Sequence, residues 1–434
     1  MIVERALTAY LRYKHGRLLR IDPAEEIEPP TPRSGAEYLL YLHIPFCEEL
    51  CPYCSFNRFP LDRNLAMDYF RGLTEEIRMY ADLGFNFAAV YVGGGTPTVL
   101  PVEMTKLLAT LRATFRIREI SLETNPHHLT DDILRRLKDS GVNRLSVGVQ
   151  TFDDDLLRRM ERFHKYGSGA EIKASLDRIK GMFDTLNVDM IFNFPTQTLP
   201  MIEYDVRTIL EIEADQVTFY PLMVSEITRK ELARRFGPIS YRQEKLLYRR
   251  ISEMLDDRYS CGTAWCFSRK KTMIDEYIVD YDEYVGAGSG SFGYVGGSVW
   301  ANTFSVRDYL QAIGRNRFPL FAKRDFSLDD QIRYDFMMKL FGTSLHIDTA
   351  EKKFHGRFMK TLRPEIALFK LVGALVEERG VLRLTRKGRY LWVIMMREFF
   401  SAVNNFRDVC RARITASGSE RVAAEAPAVG RVTV

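Results

Sequence analysis

No disulfide framework is written into this chain of 434 residues. It has only six cysteines, and three of them fall between positions 47 and 54. That usage fits a reducing compartment, with the cytoplasm as the expected location, and a metal site. Long hydrophobic runs are missing too. No stretch approaches the roughly 20 apolar residues that a membrane-spanning helix needs, and residues 1–17 lack the apolar core of a secretory signal. An excess of one charge is also lacking. The net charge is +5, with acids and bases interspersed, which leaves no electrostatic footprint for nucleic acid. The remainder, 46% hydrophobic and 27% charged, is ordinary for a globular protein long enough to hold a large core and more than one domain.

The chain is organised around Tyr41-Leu42-His43-Ile44-Pro45-Phe46-Cys47-Glu48-Glu49-Leu50-Cys51-Pro52-Tyr53-Cys54. Three thiolates so close in sequence repel one another unless a cation shares their charge. A structural zinc site would need a fourth Cys or His at short range, and none follows Cys54. Iron–sulfur clusters also use thiolates, normally four, so three would leave one iron of a four-iron cluster open. Three buried structural cysteines are the alternative, although a proline and two glutamates favour a loop.

From Tyr38 onward the pattern alternates between strands and helices. Strands are expected at Tyr38–Ile44, Ala88–Val92, Glu119–Glu123, Arg144–Val149, Asn187–Phe192 and Gln216–Tyr220. Helices are expected at Leu65–Leu83, Pro101–Phe115, Asp131–Asp139, Asp153–Met160, Gly169–Met182 and Met201–Glu213. Six βα units in series imply a parallel sheet with helices outside it, and a site at the strand ends. Those ends carry the informative residues. Gly93-Gly94-Gly95-Thr96-Pro97-Thr98 lets backbone approach a ligand closely, yet has neither the lysine of a phosphate-binding Walker loop nor a dinucleotide spacing. Glu123 ends an apolar strand, where a carboxylate can accept from a ribose diol or an ammonium group. Gln150 stands at the next strand mouth, followed by Arg162 and His164. Asp189 lies inside an apolar strand, where an unpaired carboxylate is costly and needs a donor.

The spacing CxxxCxxC followed by GGGTP resembles the radical S-adenosylmethionine (SAM) enzymes. The ordered set YxHIPFCxxxCxYC, GGGTPT, LETNP, NRLSVGVQTF, RFH and VDMIFNFPTQT is similar to the oxygen-independent coproporphyrinogen III oxidase family, densely from Tyr38 to Pro221. The resemblance implies an α/β fold, a partial (β/α)6 barrel with a smaller, mostly helical, winged-helix-like C-terminal domain. It implies a [4Fe-4S] cluster on Cys47, Cys51 and Cys54, and a SAM on the open iron whose reductive cleavage releases a 5′-deoxyadenosyl radical. By position, Tyr41, Gly94, Gly95, Thr96 and Glu123 fall on contacts to that SAM, with Glu123 and the three cysteines as the catalytic set. Tyr53, Gln150, Arg162 and Asp189 fall on positions associated with a second SAM. Pro221 and Phe292 align with further contacts. The implied partners are a tetrapyrrole substrate and an electron donor such as flavodoxin or ferredoxin. One departure matters: the authentic oxidase has another cysteine two places after the third cluster ligand, and Phe56 stands there. The Cys-Ser-Phe form looks more like other branches of the family: heme chaperones, class C methyltransferases that use two SAM molecules, and anaerobic heme-degrading enzymes. For a heme carrier, His43, His127, His128 and His164 are candidate ligands, each with a structural reading beside it.

The expected organisation is a peripheral segment and linker over 1–37, the barrel and its extension over 38–324, the C-terminal domain over 325–411, and a disordered tail over 412–434. The peripheral segment includes a basic helix at Arg5–Leu19. Arg229–Tyr259 reads as helical, Tyr241–Leu255 especially, and the glycine-rich run Val285–Gly297 as a loop that resembles the family's segment beside SAM, with a plain flexible loop as the alternative. Cys261 and Cys266 read as packing residues, with a substrate-facing thiol at Cys266 as the alternative. Trp300, Phe304 and Tyr309 form either an aromatic substrate wall or core.

Overall fold

The computed structural model describes residues 8, 22–23, 27–270 and 281–417. The expected helix Arg5–Leu19, except Thr8, and the tail from 418 onward lie outside those residues.

The βα alternation builds six parallel strands: β1 (Tyr38–Ile44), β2 (Phe87–Gly94), β3 (Glu119–Thr124), β4 (Arg144–Gln150), β5 (Thr185–Phe192) and β6 (Gln216–Pro221). Each pairs in parallel with the next, so spatial order follows chain order. The crossover helices are α1 (Arg63–Asp82), α2 (Pro101–Thr114), α3 (Asp131–Asp139), α4 (Gly169–Ile179) and α5 (Leu199–Ile212). Every side chain of β1 is buried, as a central parallel strand covered on both faces requires. The helices start where side chains can accept the free amides of the first turn. Asp62 accepts from Asn64 and Leu65 at 3.0 and 3.1 Å, and Ser168 with Glu171 closes a capping box on α4.

The sheet does not close. Beyond β6 comes Cys266–Ser268, antiparallel. On the other side β1 pairs in parallel with Tyr284–Ala287, which leads into an antiparallel run of Phe292–Val295, Ser298–Asn302 and Leu320–Asp325. The architecture is therefore an α/β half-barrel with a splayed antiparallel extension. The glycine-rich run is not a free loop. Most of it is strand, and its turn is pinned from below: Glu76 on α1 accepts from the Gly288 amide at 2.7 Å, from Tyr309 at 2.7 Å and from Asn302 at 2.8 Å. Tyr69 ties the same turn to the cluster strand, accepting from the Ser289 amide and donating to the His43 carbonyl, both at 2.8 Å. Gly288 sits at φ +95°, and a Cβ there would meet the His43 carbonyl oxygen at 2.6 Å, so only glycine fits.

The expected helical run Arg229–Tyr259 is two helices, α6 (Glu226–Phe236) and α7 (Tyr241–Leu255). They part at Gly237, φ +90°, which Pro238 follows; a left-handed glycine and then a proline stop a helix. The C-terminal region is mostly helical: Leu328–Phe341, Ile347–Lys353 and Phe358–Leu371, then the hairpin Leu375–Glu378/Val381–Leu384, then the long helix Arg386–Ser417. That last helix runs past the point near residue 412 where sequence periodicity fades. The barrel and this region share one hydrophobic cluster, reaching from Tyr38 to Val403. Among the described residues no helix is long and apolar enough to cross a membrane.

Candidate functional site

The carboxyl ends of β1–β6 open on a cavity of about 280 Å³. Its wall includes Cys47, Cys51 and Cys54, together with Tyr41, Tyr53, Gly94, Gly95, Thr96, Glu123, Gln150, Arg162, Asp189, Pro221 and Phe292. Residues from Tyr41 to Phe292 thus face one space, because parallel strands deliver all their ends to the same side.

The cysteine loop leaves β1 at Ile44 and folds back so that the Cys54 amide donates to the Cys51 carbonyl at 3.2 Å. Arg58 crosses behind it and donates to the carbonyls of Cys51 at 2.5 Å and Cys54 at 2.8 Å. The Gly93–Thr96 turn presses against the loop: a Cβ on Gly95 would lie 2.6 Å from the Phe46 carbonyl oxygen, so the third glycine permits this contact. Thr96 Oγ1 lies 3.6 Å from the Cys47 sulfur, and Arg162 Nη1 lies 3.6 Å from the Cys51 sulfur. Burial pushes the Cys47 thiol up to about 12, so its thiolate persists only when a cation takes up the charge. The donor set also tells a cluster from a single zinc ion. Zinc holds sulfurs at about 2.3 Å, hence roughly 3.8 Å apart, whereas among the described residues the three cysteines form no group of ligand atoms within 4.8 Å of one another. Three thiols at a wider spacing, around a space with room beside them, fit a multi-iron cluster with one iron left open.

Glu123 faces the cavity from the end of β3. It accepts from the Tyr91 hydroxyl at 2.8 Å and the Gly94 amide at 3.3 Å. Burial, and then the charge of Asp189, push its carboxyl up to about 7. The donor that Asp189 needs comes from the chain itself: Ser146 donates at 2.6 Å and Asn187 at 2.7 Å. Gln150 takes φ +79° at a bulge where the β4–β5 register slips, and this turns its side chain to the strand mouth. Arg162 is buried. It donates to the Gly148 carbonyl, lies 3.4 Å from the Tyr53 hydroxyl, and lies over the Tyr166 ring at 4.2 Å.

The four histidines separate. His43 is buried with both nitrogens engaged. Nε2 must donate to the Asn57 carbonyl at 2.7 Å, which leaves Nδ1 to accept from Tyr41 at 2.8 Å. Burial lowers its pKa to about 3, so it is a neutral structural residue. His164 is exposed on a short turn, while His127 and His128 lie together beside the cysteine loop. Trp300, Phe304 and Tyr309 are core; the aromatic wall instead includes Tyr41, Tyr91, Tyr220, Trp265, Phe292 and Phe400. Cys266 is fully buried, and Cys261 touches the Arg389 guanidinium, as packing residues do.

Sequence reasoning missed Arg58, Asn404 and Arg407. The last two reach the cavity from the C-terminal helix. Arg407 stands 5.3 Å from the Phe56 ring centre and 5.6 Å from that of Phe292. Arg407 stands among Asn404, Asn405, Asp408 and Arg411, so nothing in the local pattern marks it out, and helical periodicity does not say which cavity it meets.

The half-barrel with three thiols at the mouth defines the class, and comparison agrees: the Radical SAM superfamily matches residues 41–209. Residues 41–209 thus form a radical SAM domain. Over more of its length the chain is similar to heme chaperones and to oxygen-independent coproporphyrinogen III oxidases. It is 29% identical over 365 residues to heme chaperone HemW of Bacillus subtilis, covering 81% of this chain and 94% of that one. It is 28% identical over 332 residues to the oxygen-independent coproporphyrinogen III oxidase of Bradyrhizobium diazoefficiens, covering 71% and 73%. The solved coproporphyrinogen III oxidase of Escherichia coli superposes with a TM-score of 0.72 at 24% identity, over 83% of this chain and 90% of that one, and establishes the shared fold.

Proposed function

We propose that this chain is a radical SAM oxidoreductase of the coproporphyrinogen-oxidase-like type, acting in the cytoplasm on a tetrapyrrole of the porphyrinogen kind. The observation that carries the reading is the single cavity shared by three thiols, the glycine turn and the Glu123 carboxylate. When bound there, the cluster and SAM supply an electron and a 5′-deoxyadenosyl radical, with electrons from a donor such as flavodoxin or ferredoxin. Cys47, Cys51 and Cys54 hold the iron. Tyr41, Gly94, Gly95, Thr96 and Glu123 hold SAM through amides, a hydroxyl and a carboxylate. Tyr53, Gln150, Arg162 and Asp189, with Pro221 and Phe292, offer a separate polar surface fit for a second SAM or for substrate carboxylates. The aromatic wall excludes water and offers a flat apolar face to a macrocycle.

Two other readings share this site. A heme chaperone is favoured by the name that the Bacillus relative carries and by Phe56 at the position of the oxidase's additional cysteine. A class C methyltransferase is favoured by the second polar surface. An anaerobic assay with reconstituted protein, SAM, a reductant and coproporphyrinogen separates them. The oxidoreductase yields 5′-deoxyadenosine in step with substrate loss and no S-adenosylhomocysteine. Stoichiometric S-adenosylhomocysteine, or tight heme binding without SAM cleavage, would overturn it.

Glu123 supplies a pH signature. Burial holds its carboxyl up to about 7, and hydroxyl or ammonium donors from SAM favour the ionised form. Binding then releases a proton, so SAM affinity rises by at most about tenfold per pH unit as pH climbs towards 7 and levels off above it. Glu123→Gln, which cannot ionise, should bind more weakly with a flat profile. A titration of SAM binding at several pH values checks this, and an unchanged slope in the variant would refute it.

A further inference from the structure

Outside the cavity, the cysteine loop meets a second set of ligating side chains. Glu48 directly follows Cys47, and Pro126–His128 form one helical turn just after β3. Glu48 Oε2 lies 3.1 Å from His127 Nε2 and 3.4 Å from His128 Nε2. One ligand atom from each of the three falls within 4.8 Å of the other two, the only such group among the described residues. A divalent ion holding nitrogen and oxygen at about 2.0–2.1 Å in tetrahedral geometry places its ligand atoms roughly 3.3 Å apart. The two measured edges match that spacing, and the second is longer than a good hydrogen bond.

The ring of His128 is aimed by what lies behind it. Its Nδ1 lies 2.7 Å from Thr98 Oγ1, and that hydroxyl lies 2.8 Å from Thr124 Oγ1, with both threonines buried. If Nδ1–H donates to Thr98, whose hydroxyl donates onward to Thr124, the Nε2 lone pair faces Glu48. A second partner that fixes tautomer and orientation is how metal-ligating histidines are held. The His127 ring is held differently, stacked on Tyr166 at 5.9 Å. Glu48 and His127 are half-exposed, so an ion can enter and water can complete its shell.

We propose that Glu48, His127 and His128 bind a divalent transition-metal ion of the zinc class, bracing the cysteine loop against the turn that follows Glu123. The two halves of this site come from the loop that carries the three thiols and from the strand end that carries Glu123. An ion there fixes their separation without entering the cavity.

The test uses protein that retains its cluster, washed with chelator and dialysed against zinc chloride. Wild type should take up one zinc per chain beyond the cluster metal, with X-ray absorption showing nitrogen and oxygen neighbours only. Thr98→Val should weaken zinc binding about 10–100-fold, and His128→Ala at least as much, with iron content unchanged. Binding should weaken as pH falls, because protons compete with the metal for the ligating nitrogens. Glu48→Gln, on an exposed side chain, repeats the loss where a histidine variant folds poorly. No retained zinc, a sulfur shell in the absorption spectrum, or equal zinc in wild type and Glu48→Gln would overturn the proposal.

Discussion

Replacing Cys54 with alanine is expected to strip the iron from this protein and to reduce SAM cleavage to the level of a protein-free control. With three thiols there is no spare ligand: the described residues around the cavity provide no fourth cysteine, and His43, the nearest buried imidazole in sequence, has both nitrogens engaged. A cluster bound by two thiolates has two open irons and is lost to water or chelator. The fold should survive, because Cys54 is only partly buried and its backbone stays tied by Arg58 and by the Cys51 carbonyl. Iron and sulfide analysis beside circular dichroism distinguishes loss of the cluster from loss of the fold. An iron content and deoxyadenosine yield equal to wild type would exclude the cluster assignment for this loop.

The largest expected loss of stability lies far from the cavity, at Arg397→Met. Arg397 is buried on the C-terminal helix between two buried carboxylates. It contacts Glu244 on α7 and donates to Glu398 at 2.8 and 3.0 Å, while its guanidinium lies over the Tyr241 ring at 4.2 Å. Tyr390 adds a hydroxyl 3.2 Å from Glu244. Methionine fills much of the volume but leaves both acids without their cation, which costs about 3–5 kcal/mol. The pH dependence is fixed in sign. Burial raises the Glu244 pKa against the pull of Arg397, and removing the cation raises it further. An acid whose folded pKa lies above its unfolded value contributes no penalty below the unfolded value. Its destabilisation grows as pH climbs towards the folded pKa. The deficit of the variant should therefore be larger at pH 8 than at pH 5, as urea midpoints at the two pH values would show. A deficit below about 1 kcal/mol at both would mean that the pair contributes little net stability.

The same contrast between local and distant interactions separates what could be read from the chain and what could not. The βα alternation was legible because strand and helix periods are local: β1 and α3 have the bounds that their hydrophobic patterns predict, and the other barrel elements differ by a few residues at their ends. The bounds of α7 were legible as the strongest part of the helical run, but the break before it was not, because charged residues on both sides share a helical period, while a single glycine at positive φ decides the geometry. The glycine-rich run was read as a loop because glycine carries no hydrophobic period. Its strand character comes from pairing with β1 and from Glu76, more than two hundred positions away.

The sequence by itself determined the chemistry of the mouth, because three thiols, a glycine turn and a carboxylate occupy strand ends, and a parallel sheet gathers its strand ends on one side whatever else the chain does. Tertiary structure alone decided which residues complete that space and which stand apart from it. Arg407 and Asn404 enter from the last helix, the two threonines aim His128 at Glu48, and Trp300 and Tyr309 turn into the core. Those placements depend on packing between segments that share no local pattern, where burial and hydrogen-bond geometry act between parts of the chain that only folding brings together.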